Sequence, residues 1–182
     1  MIATARQAQS ESGASLDPAL VSEFYLWLWW WTETSGHAID LGALGSIDAW
    51  VDDRVSLSDV RDAKNKTVLA GDRAPGTPEG HAAIEGGKMP EELRIVIRRD
   101  GQEYGVTMKG AHMDLSGLRL PGSAESMEEE QVQERLLLAE QITDLLAAIF
   151  RRFALVRVSP TGALETVPAL RAWIASRPGG RE

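Results

Sequence analysis

Apolar positions along this chain recur with helical spacing at both ends and with strand-like alternation between them. Near the N-terminus, Leu20, Phe24, Trp27, Leu28 and Trp31 fall on one helical face. Asp17 is placed to cap the helix and Pro18 to occupy its first turn, where a missing N–H costs nothing. This predicts a helix from Asp17 to about Glu33, stopped by the Thr34–His37 stretch "TSGH". Within it, "EFYLWLWWW" puts four of the six tryptophans into five positions. Tyr25, Leu26, Trp29 and Trp30 cover much of the remaining surface, so the second half is apolar nearly all round. Such a helix needs neighbours on several sides.

The middle of the chain alternates with period two. Ile47, Ala49 and Val51, then Val55 and Leu57, predict one or two half-buried strands, and "NKTVLAG" a further short one. Thr77, Pro78 and Glu79 open a short helix that Gly86 and Gly87 stop. Leu93, Ile95 and Ile97 alternate with Arg94, Val96 and Arg98, followed by Asp100-Gly101 and by Tyr104, Val106 and Met108. Asp-Gly between two alternating runs predicts a β-hairpin over 93–108 with a two-residue turn. "HMDLSGLRLP" adds a short strand.

Helical spacing then returns. Leu138, Ile142, Leu145, Ile149 and Phe153 form a stripe in a long helix capped by Ser123 or Ser126. Glu128, Glu129 and Glu130 meet its N-terminal dipole, and Arg151 and Arg152 stand near its other pole. A last short helix packs Leu170, Trp173 and Ile174. The expected fold class is α+β: a small antiparallel sheet containing the hairpin, packed by the Trp-rich helix and the long C-terminal helix. The expected organisation is a flexible lead-in over 1–15, a single domain over 16–176 and a frayed tail over 177–182.

Composition removes several classes of function. The chain of 182 residues has no cysteine, which excludes disulfides, thiolate zinc sites and cysteine nucleophiles. Leu20–Trp31 is the only strongly apolar run, and it falls short of the roughly 20 residues a membrane span requires. No membrane partner is expected. A formal net charge of −8 disfavours nonspecific attraction to phosphate backbones unless basic residues share a face.

Candidate chemistry is sparse. His37, His81 and His112 sit in separate segments, and none of the familiar metal-ligand spacings occurs. "HMD" at His112–Asp114 reads as a turn or strand-edge pair. "GDRAPGTPEG" lacks the Lys-Ser ending of a phosphate loop, and "EGGK" at Glu85–Lys88 follows a helix where an anion site would precede one. In "VDDR", Asp52 and Asp53 are adjacent and are expected to diverge on a strand. No catalytic residue, metal or cofactor is assigned. The hairpin does carry a modest basic ribbon: Lys88, Arg94, Arg98, Arg99 and Lys109, with Arg94 and Arg98 opposite the apolar face. These five are the candidate phosphate-contacting residues. The tryptophans lack the interleaved Lys and Arg of a base-stacking platform, which leaves core packing or a protein interface.

Three stretches carry a family resemblance: "EFYLWLWWWTE", then "TPEGHAAIEGGKMPEELRIVIRRDGQEYGVTM", then "MDLSGLRLP" ahead of an acidic helix start. Together they resemble the C-terminal part of the bacterial recombination-associated protein RdgC family over roughly residues 20–175. The resemblance implies a cytoplasmic bacterial or phage protein that binds duplex DNA without sequence preference and restrains the recombinase RecA by occupying DNA. It implies ring-like dimers, no cofactor and no catalysis. Lys88 matches the lysine of the family's Glu-Ala-Gly-Lys element, and Arg94 a basic residue after it. The chain lacks the family's N-terminal half. The alternative expectation is an acidic protein–protein adaptor or subunit, docking on a protein partner or a second copy through the aromatic helix.

Overall fold

The computed structural model describes residues 17–62, 64–71, 76–121 and 128–176. The expected cap at Ser123 or Ser126, the lead-in before residue 16 and the 177–182 tail lie outside them. Helix α1 spans Pro18–Thr34, and Asp17 Oδ1 accepts from the Ala19 amide at 2.9 Å, as an N-cap should. Strands β1 (Ala38–Asp40), β2 (Ser46–Asp59) and β3 (Lys66–Ala70) follow, with a 3-10 turn at Gly42–Leu44. Helix α2 covers Pro78–Glu85, with the Thr77 hydroxyl accepting from the Gly80 amide at 3.3 Å. Strands β4 (Lys88–Arg99), β5 (Gln102–Lys109) and β6 (Asp114–Arg119) precede the long α3 (Glu128–Val158) and the short α4 (Val167–Ala175).

Every strand pairing is antiparallel. The order is β1-β2-β4-β5-β6, and β3 pairs with the second half of β2. The predicted hairpin is β4–β5, with Arg99 opposite Gln102 and positive φ at both Asp100 and Gly101. That is the geometry a two-residue turn must adopt to match strand twist. The expected α+β architecture is therefore the observed one.

The sheet buries one face under helices. Ile47, Ala49, Val51, Val55 and Leu57 of β2, Leu93, Ile95 and Ile97 of β4, and Tyr104, Val106 and Met108 of β5 form its apolar side. Helix α1 lies over β2 and β4. Leu138, Ile142, Leu145, Ile149 and Phe153 of α3 complete the core, as their helical spacing predicts, and Leu146 joins them. Phe24 and Trp27 meet Phe153 at ring-centroid distances of 5.5 and 5.6 Å, and Phe150 closes on Phe24 at 5.1 Å.

The aromatic helix is enclosed on more sides than one stripe implies. Tyr25, Leu26, Trp29 and Trp30, outside the predicted face, are as buried as Phe24, Trp27 and Leu28, whereas Leu20 and Trp31 are only partly buried. For Trp29 the reason is that α4 comes back over α1 and α2. Trp173 meets Trp29 edge-on at 5.8 Å and His81 at 4.7 Å. Burial pushes the Tyr25 phenol well above its ordinary pKa, and Asp114 nearby raises it further. Its hydroxyl donates to the Gly110 carbonyl at 3.3 Å.

Between α3 and α4 the chain makes one wide helical turn, Gly162–Thr166. A Cβ at Gly162 would lie inside the Val156 carbonyl, so only glycine lets the two helices meet this closely.

Candidate interaction surfaces

Lys88, Arg94, Arg98, Arg99 and Lys109 all belong to β4 and β5, so the hairpin does gather them. It also supplies a carboxylate to three of the five, and β2 supplies two to a fourth, Arg94. Arg98 Nη2 reaches Glu103 at 3.1 Å across the β4–β5 ladder, and its guanidinium sits 5.1 Å over the Trp50 ring. Arg99 pairs with Asp100 at 3.3 Å, and Lys109 approaches the buried Glu92 at 3.7 Å, which also accepts from Arg54 Nε at 2.7 Å. Lys88 Nζ instead donates to two neutral oxygens, Asn65 Oδ1 and Thr67 Oγ1, each at 2.8 Å.

Arg94 is held most elaborately. Val51 pairs with Ile95 and Val55 with Leu93, so Asp52, Asp53 and Arg54 together oppose Arg94 alone. This bulge bends β2 locally and breaks its alternation. Both carboxylates then face one guanidinium: Arg94 Nε lies 3.0 Å from Asp52 Oδ2 and 3.6 Å from Asp53 Oδ1. The expected divergence of Asp52 and Asp53 is thus corrected, because strand alternation fails where a strand bulges. Arg94's Nη atoms extend toward Gly105 and Gly117, where absent side chains leave room. Its side chain is 19% exposed.

The tryptophans offer little to a partner. None of Trp27, Trp29 and Trp30 is more than 9% exposed. Glu33 anchors this end of the core: its carboxylate accepts from Trp29 Nε1 at 2.8 Å and from Trp173 Nε1 at 3.1 Å, and stands 4.0 Å from His81 Nε2. His37, His81 and His112 stay apart, His112 being exposed in the turn before β6. Among the described residues no three His, Asp or Glu side chains are placed to hold a metal ion, and no described helix is long and apolar enough to cross a membrane.

Exposed apolar surface collects elsewhere, on α3. Val132, Leu136, Leu137, Leu155 and Val158 are between 59% and 76% exposed. At 3.6 residues per turn, Leu136 and Val158 lie on the side opposite the buried Leu138, Ile142 and Ile149, with Val132 on its flank. Small or polar residues fill that side between them: Glu140, Thr143, Asp144, Ala147 and Arg151, all exposed. Leu155 also borders a cleft of about 360 Å³ shared with Leu41, Leu44 and Ala148. The i, i+4 spacing of Val132 and Leu136 was visible in the sequence, but a helix stripe does not say which face the sheet will take.

No protein-family model, no curated protein and no solved structure matches this chain.

Proposed function

We propose that this chain is a nonenzymatic protein-interaction subunit that docks through the outward face of α3. The observation that carries this reading is a pair of exposed apolar clusters on α3, Val132, Leu136 and Leu137 toward one end and Leu155 and Val158 at the other, left open by a fold that has already covered its sheet and aromatic helix. Exposed apolar clusters joined by small and charged residues are what an interaction surface requires and what an isolated chain is better without. The aromatic helix is not the docking element, because its rings are spent on the core. Photo-cross-linking tests the reading. A benzophenone side chain at Leu136 or Val158 is expected to capture a protein in cells, and one at Val68, an exposed residue of β3, is expected to capture none. Absence of adducts from both α3 positions would overturn it.

A second reading is sequence-independent binding to duplex DNA, as the RdgC resemblance suggests. It draws on Lys88, whose partners are neutral, and on Arg119, exposed on β6 without an ion-pair partner among the described residues. The carboxylates beside Arg94, Arg98, Arg99 and Lys109 weigh against it, since each offsets the charge a phosphate would meet. In a mobility shift with duplex DNA, this reading expects binding that weakens steeply with salt as counterions are released. No shift at tens of micromolar protein in low salt would reject it.

A further inference from the structure

The outward face of α3 is self-complementary in a way that selects its occupant. Resting on the interaction-surface reading above, we infer that the occupant is a second copy of this chain, packed α3 against α3 in antiparallel fashion about a two-fold axis. The argument is one of register. Leu136 and Leu155 stand equally far on either side of the Leu145–Leu146 peptide, and so do Glu140 and Arg151, and Asp144 and Ala147. Val132 and Val158 are centred on Leu145, half a residue from that point.

An axis through that point brings each residue opposite its counterpart on the partner helix, since a two-fold interface maps residue i onto j and j onto i. Apolar then meets apolar at both ends: Leu136 faces Leu155, and Val132 comes within one residue of Val158. Glu140 meets Arg151 twice, once on each side of the axis. Thr143 and Ala147 are small enough for close approach of the helix axes at the centre, where helix pairs need about 8–10 Å.

Charge supports the antiparallel sense. On the outward face Glu140 lies N-terminal and Arg151 C-terminal of the centre, whereas Arg157 is already paired with Glu23 at 2.6 Å. A parallel pair would set acid against acid, and an antiparallel pair sets acid against base. Neither Glu140 nor Arg151 has an ion-pair partner among the described residues, so both are available; Arg151 only donates to its own helix, Nε to the Ala147 carbonyl at 3.3 Å. The face from Val132 to Val158 runs roughly 39 Å at helical rise, long enough for several turns of contact.

Sedimentation velocity of the full chain over a range of concentrations tests this, using Glu140→Arg, Arg151→Glu and the double swap. The wild type is expected to dimerise. Each single swap creates two like-charge contacts and weakens the dimer by about tenfold. The double swap restores it, because in a symmetric pair it re-creates both opposite-charge contacts. Circular dichroism confirms folding of each variant, and all substituted sites are exposed. A wild type that stays monomeric overturns the second-copy assignment. If photo-cross-links from Leu136 then join a different chain, the interaction-surface reading survives that failure. A dimer that is indifferent to both swaps and to Leu136→Glu lies on another face, which overturns the assignment as well.

Discussion

The carboxylate of Glu33, in the last turn of α1, accepts the indole N–H of Trp173 from α4 at 3.1 Å, tying together two helices that are 140 residues apart in sequence at this point. Its other oxygen accepts from Trp29 at 2.8 Å. One exposed-looking acidic residue after a tryptophan run is therefore the clasp that closes the core.

Glu33→Ala is expected to destabilise the fold by about 2 kcal/mol or more, because two largely buried indole N–H groups lose a charged acceptor. Glu33→Gln keeps one carbonyl oxygen and is expected to cost roughly half as much. Urea unfolding followed by tryptophan fluorescence measures both. Equal stability of all three proteins would show that the clasp carries no net energy.

At the β2 bulge, Arg94→Ala is expected to cost about 1–2 kcal/mol, less than a deeply buried pair would, since Asp53 is more than half exposed. The loss arises from two carboxylates left facing each other without the guanidinium. Adding Asp52→Asn to Arg94→Ala is expected to recover part of the stability. Thermal melts of the single and double variants check this, and a fully additive result would refute the coupling.

Acid sensitivity is expected at Glu91. Burial alone would raise its pKa, but the Lys66 ammonium outweighs it, with the Ser58 and Ser56 hydroxyls adding to the effect, so the folded value lies below the ordinary one. A carboxyl whose pKa is lowered on folding binds fewer protons folded than unfolded between the two values, so stability rises with pH there. The contribution is complete above the ordinary glutamate range and is lost as pH falls through the folded value. The difference in Tm between wild type and Glu91→Gln is accordingly expected at pH 7 and expected to shrink on acidification. A difference constant with pH would exclude ionisation as its source.

Much of the architecture was legible along the chain. Asp17 and Pro18 announced α1, Asp100-Gly101 announced the hairpin turn, and the Leu138–Phe153 stripe announced the buried side of α3, because capping, turn geometry and helical periodicity are local rules. Arg94 and its partners were only half legible. Alternation placed Arg94 on the face away from the core correctly, yet it separated Asp52 from Asp53, since alternation presumes a regular ladder and β2 is bulged there.

The candidate surface was the least legible part. Leu136 and Leu155 look no different from Leu138 or Leu145 in a helix rich in leucine. Only the sheet's choice of one side of α3 exposes the other, and only that exposure makes the symmetry of Glu140 with Arg151 meaningful. What the sequence by itself determined are the elements, because their signals lie within a few residues of one another. The tertiary structure decided which faces are spent and which remain: the tryptophans went inside, since sheet, α3 and α4 surround them, and the outward face of α3 was left open because no element of this chain returns to cover it among the described residues.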